Sequence, residues 1–80
     1  MPRYFFNMRS SESYIADEEG DDLPNTAAVR DYAITAAREI LAERIKSGTN
    51  TGTYKFEITD SHGDVVLTVD FKDAVLQQPS

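Results

Sequence analysis

The chain has no cysteine, no tryptophan, one histidine and no two basic residues in succession. Without cysteine there are no disulfides and no thiolate metal ligands. Basic residues number eight against 14 acidic, a formal charge of −6, and they are scattered at Arg3, Arg9, Arg30, Arg38, Arg44, Lys46, Lys55 and Lys72. Nucleic-acid binding draws on clustered cations that neutralise phosphates, so direct DNA or RNA binding is not expected. No apolar run approaches the length of a membrane span, and Met1-Pro2-Arg3 followed by Tyr4-Phe5-Phe6 is too short and too aromatic for a signal peptide. The expected location is cytoplasmic.

Catalytic signatures are equally scarce. There is no Walker loop and no G-x-G-x-x-G pattern. His62 falls among Asp60, Ser61 and Asp64 in a predicted turn, where neighbouring side chains diverge; a triad is assembled from distant segments instead. His62 reads as an ordinary turn residue. The chain is expected not to be an enzyme, with no catalytic residue, cofactor or metal.

The 80 residues make one domain near the lower limit of independent folding. A chain of this size buries roughly 63% of the surface exposed by its unfolded form. Self-association is the reinforcement left to it once disulfides and metals are set aside.

The residues that are present predict an α+β fold in the order ββαββ. This is a four-stranded, mainly antiparallel sheet with one long helix on one face, a domain over residues 1–76 and a frayed tail at 77–80. Arg3–Met8 carries three consecutive aromatics and suggests a central strand, with Tyr4, Phe6 and Met8 on one face and Phe5 and Asn7 on the other. Arg9–Glu12 is a polar hairpin loop without the usual glycine, and Ser13–Ala16 a short return strand at an edge. Thr53–Thr59 alternates cleanly, with Tyr54, Phe56 and Ile58 inward. Asp60–Gly63 is a turn, and Val65–Phe71 the partner strand, with Val65, Leu67, Val69 and Phe71 inward. A short turn at Ala74–Leu76 follows.

Asn25–Ser47 predicts the helix, with Asn25 as N-cap, Gly48 as the left-handed residue beyond its end, and Arg44 and Lys46 at the negative end of the dipole. At 100° per residue, Val29, Ala33, Ile34, Ala36, Ala37, Ile40, Leu41 and Ile45 occupy an arc of about 180°, wider than the usual ~100° stripe. The alanine side admits a sheet closely. Ile34, Leu41 and Ile45 form a bulkier edge that either a twisted sheet wraps or another subunit covers; they are candidate interaction residues.

Asp17-Glu18-Glu19-Gly20-Asp21-Asp22 places five acids around one glycine. Its spacing departs from the EF-hand pattern. A solvated turn ahead of the helix N-terminus, where the macrodipole favours anions, is the expected reading. Asp17, Glu18, Glu19, Asp21 and Asp22 are the second set of candidate interaction residues.

With Met1-Pro2-Arg3-Tyr4-Phe5-Phe6, Asp17-Glu18-Glu19-Gly20, Leu23-Pro24, Thr59-Asp60, and Gly63 before Val65-Val66-Leu67, the chain resembles short proteobacterial proteins common in rhizobia, grouped as domain of unknown function 6894. The resemblance runs from about Pro2 to Phe71. Members usually carry His where this chain has Asn7, and a glycine in the first loop where it has Ser10-Ser11. The resemblance implies no activity, cofactor or catalytic residue. A looser similarity of pattern links the hairpin, acidic turn and alanine-rich helix to the HicB-type antitoxins, without their DNA-binding appendage. The expected function is a non-catalytic protein-binding or homodimerising module. The alternative is an antitoxin-like or nucleic-acid-mimicking regulator of a basic partner protein.

Overall fold

A computed structural model describes residues 1–48 and 54–76, with the side chains of Val75 and Leu76 left out of the description. The elements are β1 (Arg3–Arg9), β2 (Tyr14–Ile15), β3 (Asp21–Asp22), α1 (Thr26–Ser47), β4 (Lys55–Thr59), β5 (Val65–Asp70) and α2 (Phe71–Leu76). The sheet runs β2-β1-β4-β5, with β3 also paired to β1, and every pairing is antiparallel. The α+β architecture and the single long helix are as the periodicity predicts. The anticipated tail at 77–80 and most of the loop before β4 lie outside the described residues.

Alternation places Tyr4 and Phe6 of β1, Phe56 and Ile58 of β4 and Val69 of β5 in one buried cluster with Val29, Ala33 and Ala37 of α1. An aromatic line crosses this core. Tyr32 meets Phe6 at 4.8 Å between centroids, Phe6 meets Phe56 edge-on at 5.9 Å, and Phe56 meets Phe71 at 4.9 Å. The three helix residues that become fully buried are small or β-branched, so the backbone of α1 comes close to the sheet. Asn25 caps the helix by accepting the amide of Ala28 at 2.9 Å. Gly48, at φ +72°, closes it with its own amide on the carbonyls of Arg44 and Ile45.

Four details depart from the sequence reading. Asp21–Asp22 is a strand, paired with Arg3 and Tyr4, where a free turn was expected. Expected strand Ser13–Ala16 contracts to Tyr14–Ile15. Phe71 begins α2 and does not end β5, though it is buried as anticipated. Val65, expected inward, is 57% exposed. The register explains this: Ile58 faces Leu67 while Thr59 faces Val65, so β5 carries one extra residue. That bulge turns the start of the strand away from the core.

The glycine-free first loop is held by a serine. Ser10 Oγ accepts the amides of Glu12 and Ser13, and the Ser10 amide donates to the Ser13 carbonyl. A hydroxyl thus supplies the turn that glycine commonly permits.

Candidate interaction surface: the acidic loop and the sheet edges

Hydrogen-bond alternation fixes which main-chain groups face outward on each strand. The Phe71 amide donates to the Tyr54 carbonyl at 3.0 Å. In an antiparallel ladder bonded and non-bonded pairs alternate. Given the register, Phe56–Val69 and Ile58–Leu67 are therefore bonded pairs. On β4, Lys55, Glu57 and Thr59 then turn their main-chain groups toward β1, facing Arg9, Asn7 and Phe5. That leaves Tyr4, Phe6 and Met8 of β1 pointing toward the far edge.

This far edge is closed in three pieces. Met8 pairs with Ile15 of β2, and Tyr4 pairs with Asp21 of β3. Between them the Phe6 amide donates to Asp17 Oδ2 at 3.0 Å. The other oxygen, Oδ1, accepts the amides of Glu19 and Gly20 at 3.3 and 3.2 Å. A carboxylate can accept several bonds at once and suits a junction with no competing acceptor. Asp17 is thus a peg that spans the gap between two short strands.

Asn7 completes the junction and is the one buried polar residue of the described core, at 4% exposure. Its Oδ1 accepts the Asp17 amide at 2.9 Å. Its Nδ2 donates to the Glu57 carbonyl at 2.9 Å and lies 3.3 Å from Thr59 Oγ1. One side chain therefore ties the loop to β1 and β4, and no described buried side-chain polar atom lacks a partner. A neutral imidazole carries one donor and one acceptor, so it could serve the loop amide and the strand carbonyl in the same way. The sequence signal for this role was present, as the only polar residue in the run Tyr4–Met8.

The remaining acids divide by role. Arg3 grips Asp22 through Nε at 3.1 Å and Nη2 at 3.3 Å, while its Nη1 donates to the Glu19 carbonyl at 2.6 Å. The pair is about half exposed on each side, so it contributes about 0–1 kcal/mol. The Asp21 carboxylate beside the Tyr32 phenol, then burial and the other nearby carboxylates, raise the phenol above its ordinary pKa. Glu18 and Glu19 are exposed, with no side-chain hydrogen bond or ion pair among the described residues. Gly20 sits at φ +72° against β1, where an added Cβ would come 2.8 Å from the Tyr4 carbonyl oxygen and 2.9 Å from Phe5. No group of three or more metal-ligating side chains comes together among the described residues.

The helix candidates separate. Ile34 and Leu41 pack against the core cluster, whereas Ile45 is 69% exposed. They do not form one continuous exposed stripe. Arg44 stacks over the Tyr54 ring at 4.6 Å, and Arg38 Nε donates to the Ala74 carbonyl at 2.7 Å, which ties α1 to α2. His62 is exposed in a turn organised by Asp60, whose Oδ1 accepts the amides of His62 and Asp64.

The opposite edge of the sheet is built differently. Strand β5 ends the strand order, and with Val69 and Leu67 bonded to β4, the main-chain groups of Thr68 and Asp70 point outward. No hydrogen bond to them arises among the described residues. Val65 and Val66 are exposed beside this edge, at 57% and 36%.

Comparison with protein families places the chain. A family model for a domain of unknown function, DUF6894, matches residues 3–72. The chain belongs to this family. The matched span covers every strand and the long helix, so the acidic loop and both sheet edges lie within the family domain. No curated protein and no solved structure matches it. No helix among the described residues is long and apolar enough to cross a membrane.

Proposed function

We propose that the chain is a non-catalytic protein-binding module that self-associates. The observation that carries this reading is the open edge of β5, with outward main-chain donors and acceptors next to exposed Val65 and Val66. Unpaired strand edges are templates for strand addition, and natural proteins generally protect them. The small core supports the same reading, because burial between subunits adds stability that a chain of this length gains with difficulty alone. Sedimentation from low to several hundred micromolar tests it. A species of twice 9.0 kDa that grows with concentration is expected, and a 9.0 kDa species throughout contradicts it.

A second reading, an acidic decoy that occupies a basic partner as an antitoxin or nucleic-acid mimic would, has the exposed Glu18 and Glu19 in its favour. Against it, Asp17, Asp21 and Asp22 are engaged within the chain. Affinity capture from the source cell separates the two, since recovery of a basic nucleic-acid enzyme supports only the second.

A further inference from the structure

The free run of β5 has defined limits. Its bulge lies at Val65–Val66, and α2 begins at Phe71. Between them the strand carries one charge, Asp70, and neither lysine nor proline. Those two residues are common devices against edge pairing. Helix α2 folds back toward α1, with Phe71 and Ala74 in the core, so it does not continue the strand.

Resting on the self-association reading above, we propose that β5 pairs antiparallel with β5 of a second copy, about a two-fold axis at Thr68. Only this centre uses all of the extended run between bulge and helix. Thr68 then exchanges its amide and carbonyl with Thr68 of the second copy. On each side the Asp70 amide donates to the Val66 carbonyl across the seam. That carbonyl points outward because the Leu67 amide, on the same peptide plane, faces β4. Leu67 lies opposite Val69 of the second copy, so the apolar layer under the helices continues from one sheet into the next. A two-fold contact of this kind closes after two chains and does not grow into a fibre.

The net charge of −6 does not oppose a second copy at this edge. The two Asp70 residues are four residue steps apart along the seam, about 13 Å, beyond the Debye length of about 8 Å at physiological salt. Each Asp70 also faces Lys55 of its own sheet. The acidic loops attach to β1, on the other side of β4, so five strand spacings, about 24 Å, separate the two β1 strands of the pair. No other edge keeps the acids as far apart.

Two variants of the full chain test the register. Thr68→Pro removes an outward amide that no partner among the described residues uses, and proline is tolerated at such edge positions. It should weaken dimerisation by about tenfold or more. Thr68→Cys places a thiol on the axis of a chain with no other cysteine. Bonded antiparallel pairs have Cα atoms about 5.5 Å apart, within disulfide range. Under mild oxidation it should form a covalent dimer much faster than Ser61→Cys, an exposed turn control. A wild type that sediments as a monomer throughout overturns both self-association and the seam. A wild-type dimer that Thr68→Pro leaves intact, with Thr68→Cys linking no faster than Ser61→Cys, overturns the seam alone. If Thr68→Pro fails to fold, the cross-linking comparison decides.

Discussion

The two edges of this sheet meet the same problem with opposite means. At the β1 edge, three outward positions in succession are engaged, Met8 by β2, the Phe6 amide by the Asp17 carboxylate and Tyr4 by β3. At the β5 edge, the outward groups of a six-residue strand, at alternate positions, have no partner among the described residues. The first edge is made of side-chain devices and is therefore sensitive to single substitutions. The second is main chain alone, so substitutions there should alter association more than folding. An acidic run whose composition predicts a solvated turn is, for the most part, engaged in closing an edge.

Substitutions along the closed edge should follow that division. Gly20→Ala has the largest expected effect, about 2–4 kcal/mol, because left-handed backbone and a close approach to β1 act together. Thermal or denaturant unfolding measures it. Asn7→Leu should cost about 2–3 kcal/mol by leaving the Asp17 amide and the Glu57 carbonyl without their partner. Asn7→His should recover most of that loss, a contrast that a volume argument alone does not predict.

Asp17→Asn keeps one acceptor oxygen and loses the other, so about 1–2 kcal/mol is expected. Amide exchange at Phe6 or at Gly20 should then accelerate, according to which bond is given up. The smallest effect is at Tyr32. Its phenol pKa is raised in the fold, so its contribution is present below the ordinary tyrosine pKa, near 10, and is lost as pH rises through the folded value. Absorbance titration should show a late-ionising tyrosine phase, and Tyr32→Phe should remove the contribution of Tyr32 to it.

The fold was legible where one residue has one physical reason for its place. Alternation at Phe56 and Ile58, the Asn25 cap and Gly48 all follow from local rules. The acidic loop was less legible. Its composition predicts a solvated turn, but its structure depends on Arg3, Asn7 and Phe6, whose proximity no local pattern encodes. The exposure of Val65 arises from a one-residue register shift, which alternation alone does not signal. Among the helix candidates, the angular wheel grouped Ile34, Leu41 and Ile45, but it does not say how far along α1 the core extends. Ile45, near the end of the helix, is the exposed one.

Site-resolved amide exchange at two protein concentrations compares the edges most directly. The Phe6 amide, bonded to Asp17, should be protected equally at low and high concentration. The Thr68 and Asp70 amides should exchange freely in dilute solution and slow markedly as concentration rises. Equal, concentration-independent exchange at Phe6, Thr68 and Asp70 would contradict the contrast between a closed edge and an open one.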